Sequence, residues 1–438
     1  MFNYEGKLND EVLKESIELD YLKRNKNLVV LANLLISEDR NSMISIDGKW
    51  GSGKTFFVRQ FKYLVENNNT TYNDIFTEKE LYTFSSIQKS SLIVYYNAWE
   101  NDSHRDALES LLYNILDEYP LMKDQVADFD SFKKMLKCFA RDFLYSSTNG
   151  LLDINNFDKL KSFQDLANEI VTIEEKRIAF NNLIELILGD KKRLILIIDE
   201  LDRCKPSYAI ELLETLKHFY NNDKISIIVS TNNMELTNTI KAYYGLNFDG
   251  YAYLSKFYDY IISLDNANIK EYLKNKYNFG IKTWAYHDFS YLIMKYFDFT
   301  LRDCNRFITL YNLSKKYIES SEYDYRDRHY IHTCILVPIA LALKIKNIYK
   351  YDSFVSGKED SLIIGFLDSF VSDTNFEKWL KELSGVSPDS DYKMKVLDEY
   401  HDSFNDEYKY GKYPFFEAIS MIGTDLLIDN GYKNKTEK

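Results

Sequence analysis

Short apolar runs alternate with longer segments of helical periodicity over the first 265 positions of the chain. The short runs are bounded by charged residues or glycine and are rich in Ile, Leu, Val and Tyr, which is typical of buried parallel strands. In the longer segments apolar residues recur every three or four positions, which is typical of helices that bury one face. Because strands and helices alternate, the pattern predicts an α/β fold with a doubly wound parallel sheet. The predicted strands are 43–47, 91–96, 193–199, 225–230 and 260–264, and the predicted helices include 8–38, 55–64 and the segments that begin near 103 and at Pro206.

The same periodicity divides the chain into three predicted regions. Residues 1–265 contain the sheet and an insertion of two or three predicted helices at about 119–190. Residues 266–310 are predicted to be helical and carry a pair of arginines. Residues 311–438 are predicted to be helical and acidic, because residues 351–438 hold 10 Lys and Arg against 18 Asp and Glu. This last region shows no catalytic motif, so we expect it to sense a signal or bind a partner.

Composition and charge restrict the class of protein. The 438 residues are 45% apolar and 16% aromatic, which excludes an intrinsically disordered chain. A net charge of −12 argues against a protein that coats nucleic acid, although a local basic groove stays compatible with it. Four scattered cysteines without a CxxC pair suit a reducing cytosol rather than a disulfide framework or a zinc site. Since no run of about 18 apolar residues is present, no transmembrane segment is predicted and we expect a cytoplasmic protein.

A glycine-rich motif follows the first predicted strand. The segment GKWGSGKT has the spacing G-x-x-x-x-G-K-[ST] and leads into a predicted helix. Its glycines let backbone N–H groups approach phosphate oxygens, and the helix N-terminus adds partial positive charge. We expect Lys54 to reach the β- and γ-phosphates of a nucleotide and the Thr55 hydroxyl to bind Mg²⁺. The predicted phosphate-binding residues are Gly48, Lys49, Trp50, Gly51, Ser52, Gly53, Lys54 and Thr55.

A second motif, LILIIDELDR, ends the third predicted strand. Asp199, at the end of that strand, is predicted to hold Mg²⁺ through water. The adjacent Glu200 is predicted to orient and deprotonate the attacking water, which is the work of a general base. Because no N/T-K-x-D motif for guanine is evident, ATP is favoured over GTP as the nucleotide.

Two further segments carry candidate residues. Asn232, after the fourth strand, either contacts the γ-phosphate and the attacking water or shapes a turn. Arg302 and Arg306 are four positions apart and share one helix face, where they either stabilise charge on a transferring phosphoryl group or pair with surface acids. Thr300 and Asp303 have the spacing of a capping box at the start of that helix.

With these motifs the chain resembles the KAP P-loop NTPases. The resemblance rests on WGSGKT at 50–55, YNAWE at 96–100 and DELDRC-x-P at 199–206, and it covers roughly residues 20–310. It implies an Mg²⁺-dependent ATPase of the additional-strand, catalytic-glutamate division. The implied fold is a three-layer sandwich with sheet order 5-1-4-3-2, a helical insertion and a helical C-terminal region.

The resemblance also implies roles for single residues. Glu200 corresponds to the catalytic glutamate and Arg302 to the sensor-2 position, where Arg306 would support it. The predicted catalytic set is Glu200, Lys54 and Arg302, and the predicted Mg²⁺ set is Asp199 and Thr55. Asn232 and Arg306 are counted with the predicted nucleotide-binding residues. Two roles are open for Arg203, a finger that completes a neighbouring protomer's site or one half of a buried ion pair. We expect Trp99 to pack against the sheet.

The insertion departs from many family members, which carry transmembrane helices at this place. Instead it holds a helix candidate at 131–146 with one apolar and one basic side. Such a helix fits either a peripheral position on a membrane surface or an ordinary place on a soluble domain.

The predicted function is Mg²⁺-dependent ATP hydrolysis that drives a switch or an assembly motor. Its partner would be a second copy of the chain or another protein. The alternative is an ATP-binding scaffold or signalling module that hydrolyses little without a partner. Abundant Lys, Asn, Ile and Tyr indicate an AT-rich bacterial or phage-related genome and suggest a role in phage defence.

Overall fold

A computed structural model describes most of the predicted sheet region and much of the helical part. The described residues are 9–36, 41–68, 72–104, 107–118, 184–185, 188–220, 222–264, 268–277, 284–319, 331–370 and 392–403. Almost all of the insertion at 119–190, the whole helix candidate at 131–146 and the last residues, 404–438, lie outside them.

Five parallel strands form one sheet in the order β2-β3-β4-β1-β5. This confirms the expected order 5-1-4-3-2, counted from the other edge. The three inner strands are buried almost throughout because both of their faces are covered by helices. The strands are β1 (Met43–Asp47), β2 (Ser91–Asn97), β3 (Arg193–Asp199), β4 (Ile225–Thr231) and β5 (Tyr260–Ser263).

Helices cover the two faces of the sheet and make a three-layer sandwich, as predicted. On one face Ile195 and Ile197 pack against Phe57 and Phe61, and on the other face Leu196 packs in a cluster with residues of later helices. The first face is covered by α1 (Asp10–Leu19), α2 (Asn25–Ile36), α3 (Lys54–Glu66) and α4 (Glu78–Ser90). The second is covered by α5 (Ala107–Glu118), α6 (Pro206–Tyr220), α7 (Asn233–Tyr244) and α8 (Gly250–Leu254).

The described residues after 268 are helical, as the pattern predicts, and they surround a third apolar cluster. Phe307, Ile335 and Phe366 belong to this cluster, and so do Tyr21 and Leu22 from the N-terminal part of the chain. None of the helices in the described ranges is both long and apolar enough to cross a bilayer. The helices are α9 (Ile269–Tyr277), α10 (Trp284–Tyr296), α11 (Leu301–Glu319), α12 (Val337–Lys346, after a π-helical turn at His332–Leu336), α13 (Ile348–Phe354), α14 (Asp360–Ser369) and α15 (Tyr392–Asp402).

The single helix predicted over 8–38 is wrong, because the chain breaks between α1 and α2. Asp20 and Lys23 adopt positive φ angles of 40° and 55°, which end the helix. The Asp20 carboxylate then accepts the N–H groups of Arg24 and Asn25, at 2.8 and 3.1 Å, and so caps the second helix. Residues 23–27 are all polar and interrupt the apolar periodicity at this break.

Candidate functional site

The two nucleotide motifs meet at one edge of the sheet. In the parallel ladders Asp47, at the end of β1, lies opposite Thr231 of β4, and Asp199 of β3 lies opposite Ser230. Because parallel strands end at the same edge, the loop after β1 and the turn after β3 are brought together there.

The backbone of the glycine-rich loop requires glycine at two positions. Gly51 and Gly53 have φ angles of +78° and +91°, which side-chain-bearing residues rarely adopt. A methyl group at Gly51 would also lie 2.6 Å from the Thr300 hydroxyl oxygen and 3.1 Å from the Cβ of Arg302. The loop therefore packs closely against the start of α11, and α3 begins directly after it at Lys54.

Lys54 is buried at the N-terminus of α3, with 8% of its surface exposed. Its ammonium donates to the carbonyls of Gly48 and Lys49, at 2.6 and 3.3 Å. Burial lowers the pKa of Lys54, while the nearby carboxylates of Asp202 and Asp199 act in the opposite direction. The loop thus holds a desolvated cation next to two acids, beside a helix N-terminus that favours anions.

Asp199 is 1% exposed, and its two carboxylate oxygens have different surroundings. Oδ2 accepts a hydrogen bond of 2.9 Å from the Tyr95 hydroxyl. Oδ1 is buried and has no hydrogen-bond partner among the described residues. A buried carboxylate oxygen without a partner is costly unless a cation or its water satisfies it, so Asp199 fits an Mg²⁺ site. Thr55 lies half-buried in the first turn of α3.

Glu200 is held from three sides. Its φ of 61° is left-handed, and its N–H donates to the Ser230 carbonyl at 3.2 Å. One carboxylate oxygen lies 2.6 Å from the Arg203 guanidinium, and the other accepts a 3.4 Å hydrogen bond from the Asn97 amide. A non-glycine residue in this conformation is strained, and such strain is often found at functional sites.

Trp99 is not a core residue, so the expectation that it packs against the sheet is wrong. The Asn97 side chain accepts the N–H groups of Trp99 and Glu100, at 3.1 and 3.3 Å, and this turn directs the chain away from the sheet. The indole is 41% exposed and lies under the Arg203 guanidinium, 5.4 Å from ring centroid to Cζ. The Arg203 guanidinium therefore forms an ion pair with Glu200 and a cation–π contact with Trp99.

Asp202 connects the glycine-rich loop to the end of β4. The Trp50 indole N–H donates to one carboxylate oxygen, and the Thr231 hydroxyl donates to the other at 3.2 Å. Trp50 is otherwise exposed, with 46% of its surface open to solvent. Asp202, which had no role assigned from the sequence, thus fixes the outer part of the loop.

The start of α11 forms the opposite wall of the loop. The capping box predicted for Thr300 and Asp303 is confirmed by N–H to side-chain bonds of 3.3 and 3.0 Å. Lys49 pairs with Asp298 at 3.0 Å, just before this helix. Arg302 is partly buried beside Gly51, whereas Arg306 is exposed one turn further along.

Asn232 is the N-cap of α7, where its side chain accepts the Glu235 N–H at 3.4 Å. The structure thus gives it the turn-shaping position, one of its two predicted alternatives. Asn233 donates its own N–H to the Asp47 carboxylate at 2.9 Å and ties the start of α7 to the end of β1.

Two side chains at the site were not expected from the sequence. Arg24, 5% exposed, donates to the Ser52 carbonyl at 2.9 Å and supports the loop from behind. It reaches this place only because the chain breaks between α1 and α2. The other is Tyr95, which the register of β2 against β3 brings to the site. When Asn97 pairs with Asp199, position 95 falls on the same face of the sheet as position 199.

The comparison with protein families agrees with this geometry. The model of the KAP family P-loop domain matches residues 24–318, which is 295 of the 438 residues. The match spans all five strands, both nucleotide motifs and almost all of α11. No curated protein matches the chain at a significant level.

Proposed function

The chain belongs to the KAP family of P-loop NTPases, and from this premise we propose that it hydrolyses ATP with Mg²⁺ and uses the cycle as a conformational switch. One observation carries the proposal: a buried cation, Lys54, lies near a buried carboxylate, Asp199, one oxygen of which receives no hydrogen bond from the described residues. The cation at a helix N-terminus suits phosphates, and the spare carboxylate oxygen suits Mg²⁺.

In this proposal each residue has a defined task. The glycine-rich loop and Lys54 hold the β- and γ-phosphates, while Thr55 and Asp199 hold Mg²⁺. When bound, Mg²⁺ would neutralise phosphate charge and orient the two phosphates. Glu200 accepts a proton from water as the water oxygen bonds to the γ-phosphorus and the bond to the β,γ-bridging oxygen breaks. The products are ADP and inorganic phosphate.

The switch would act through the wall formed by α11. Gly51 packs against Thr300, whose backbone N–H and hydroxyl both donate to the Asp303 carboxylate. Asp303 in turn pairs with Lys346 of α12 at 3.0 Å. Because these contacts are tight, a change in the loop on phosphate binding would shift the preferred position of the helical region. Self-association, or binding of another protein, would then depend on the nucleotide.

Phosphate release by the purified chain tests the proposal. We expect turnover of ATP but not GTP, dependent on Mg²⁺ and measured over a wide range of protein concentrations. Turnover per chain that rises with concentration would show that association completes the site. Failure to bind either nucleotide would contradict the proposal as a whole.

Arg302 is proposed to stabilise charge on the γ-phosphate during transfer. We expect Arg302→Ala to lower turnover by about tenfold to a hundredfold while nucleotide affinity changes little, because an arginine of this kind acts mainly in the transition state. Arg306→Ala should lower turnover less, since its side chain is exposed one turn away. Steady-state phosphate release and equilibrium binding of an ATP analogue measure the two effects. Equal losses from the two variants would contradict the assignment of Arg302.

One observation favours the alternative function, an ATP-binding module that hydrolyses little on its own. The base Glu200 is engaged by the Arg203 guanidinium at 2.6 Å and by Asn97. A carboxylate held by a cation is a weaker proton acceptor than a free one, so basal turnover would be low until the pair opens. Turnover that appears only on addition of a partner would favour this module.

Mixing two variants decides whether Arg203 acts within its own chain. For the proposed ATPase we expect Arg203→Ala to lower turnover by about tenfold or more, because the arginine positions Glu200. For the alternative module, removal of the pair would instead raise the basal turnover. A mixture of Arg203→Ala and Glu200→Gln should not recover activity, since the ion pair lies within one chain. If Arg203 instead completed a neighbour's site, the mixture would contain sites with an intact pair and turnover would return. Lys54→Ala mixed with Glu200→Gln serves as the matched mixture that recovers nothing in either case.

A further inference from the structure

Tyr95 lies on β2, on the face of the sheet that α3 covers. Its ring packs with the apolar cluster of this face, and the Arg59 guanidinium of α3 lies over it, 4.2 Å from Cζ to the ring centroid. Its hydroxyl reaches past the packed region to Asp199 Oδ2, at 2.9 Å. The ring is thus part of the core, while the hydroxyl serves the candidate Mg²⁺ site.

The backbone around Tyr95 is itself fixed. Among the described residues β2 is an edge strand of the sheet, so its outward N–H and carbonyl groups have no neighbouring strand there to pair with. The Glu118 carboxylate accepts the Tyr95 N–H at 3.1 Å, and the Lys62 ammonium donates to the Ile93 carbonyl at 2.9 Å. These two bonds fix the outer edge of the strand at Tyr95 and at Ile93, two residues before it.

The hydroxyl stays a donor under ordinary conditions. An ionised carboxylate has only acceptor oxygens, so the Tyr95 hydroxyl is the donor in this bond. The bond therefore runs in one direction, from the Tyr95 O–H to the carboxylate.

The last torsion of an aspartate side chain is broad, so a carboxylate at a strand end can rotate. A hydrogen bond to one oxygen removes this freedom and leaves the other oxygen in a defined place. In Asp199 the bonded oxygen is Oδ2, and Oδ1 is the buried oxygen for which the described part of the chain offers no hydrogen-bond partner.

We infer that Tyr95 is a positioning residue for Mg²⁺: its hydroxyl fixes the Asp199 carboxylate so that Oδ1 is available to the metal. The inference rests on the proposed function, in which Asp199 holds Mg²⁺. Partners that orient a metal-holding side chain commonly change metal affinity about tenfold to a hundredfold when they are removed.

The test measures the coupling between metal and nucleotide. The dissociation constant of a fluorescent, hydrolysis-resistant ATP analogue is determined in excess Mg²⁺ and again in EDTA, and the ratio of the two is the coupling. For Tyr95→Phe we expect the coupling, the ratio of the dissociation constant in EDTA to that in Mg²⁺, to fall about tenfold. The dissociation constant in EDTA should stay at the wild-type value. The phenyl ring keeps the packing, so only the hydroxyl is lost.

Tyr96→Phe is the matched control on the same strand. Its hydroxyl is buried on the opposite face and bonds Tyr208 and Ser110, at 2.5 and 2.8 Å, away from Asp199. This variant should keep the wild-type coupling. An equal fall in both variants would show general loosening of β2 and would overturn the inference, as would unchanged coupling in Tyr95→Phe.

Asp199→Asn gives an independent check. If Tyr95 acts through Asp199, adding Tyr95→Phe to Asp199→Asn produces no further fall in coupling, whereas independent effects would multiply. The result for the wild-type protein distinguishes failure of the proposed Mg²⁺ site from failure of the proposed role of Tyr95. Equal affinity in Mg²⁺ and EDTA there would remove the Mg²⁺ site itself, while a Mg²⁺-dependent wild type with an unaffected Tyr95→Phe removes only the role of Tyr95. Thermal melting of the wild type and the four variants shows whether each variant is folded.

Discussion

Lys54→Ala should weaken nucleotide binding by about a hundredfold or more and leave the fold intact. The ammonium is the cation that the loop presents at the N-terminus of α3, and charge-assisted bonds to phosphate are the strongest polar contacts that such a site can make. Losing one or two of them, at about 1.5–3 kcal/mol each, corresponds to a loss of affinity on the order of a hundredfold. Equilibrium binding of a fluorescent ATP analogue measures this loss directly.

Burial of Lys54 bears on how the substitution affects stability. Burial lowers the pKa of this lysine, which means that the folded protein holds the charged form at a cost. Replacing it with alanine should therefore not lower the melting temperature of the nucleotide-free protein.

Lys62→Ala is the matched control for Lys54→Ala. Lys62 lies on the same helix, but its ammonium pairs with Glu118 and Glu66 and supports the backbone of β2. We expect this variant to lower the melting temperature and to keep nucleotide affinity. Binding by Lys54→Ala within a few-fold of wild type would show that the phosphates are held elsewhere.

Glu200→Gln should bind ATP as well as the wild type does and hydrolyse it at least about a hundredfold more slowly, because an amide of the same shape cannot accept the proton of the attacking water. Glutamine also loses the charge that pairs with Arg203, but its oxygen can still accept a hydrogen bond from that guanidinium. Phosphate release under single-turnover conditions isolates the chemical step from product release.

The matched control is another carboxylate away from the loop. Glu211 accepts the Ala107 N–H at 2.8 Å and links α6 to α5 on the opposite face of the sheet. Glu211→Gln should keep turnover close to that of the wild type. If Glu200→Gln turned over ATP at a normal rate, the base would have to be a different residue.

The two predictions together distinguish an ATPase from an ATP-binding module. An ATPase loses binding in Lys54→Ala and loses only hydrolysis in Glu200→Gln. A module that only holds ATP would also lose binding in Lys54→Ala, but Glu200→Gln would leave its already low turnover unchanged.

The sequence by itself determined the sheet, its strand order by way of family resemblance, and the two nucleotide motifs. These features could be predicted because each depends on residue types at neighbouring positions in the chain. A buried parallel strand needs an uninterrupted apolar run, as in 193–199, and a phosphate loop needs glycine where φ is positive, as at Gly51 and Gly53. The capping box of Thr300 and Asp303 is equally local, since its partners are three residues apart.

Only the tertiary structure decided which side chains support those motifs. Tyr95 and Asp199 are 104 positions apart, and they meet because the register of β2 against β3 places them on one face. Arg24 reaches the loop because two left-handed residues separate α1 from α2. Trp99 is exposed because a turn built on the Asn97 side chain directs it outward. Periodicity reports which face of an element is buried, whereas a contact between distant side chains depends on strand register and on single backbone angles, which leave no pattern in the sequence.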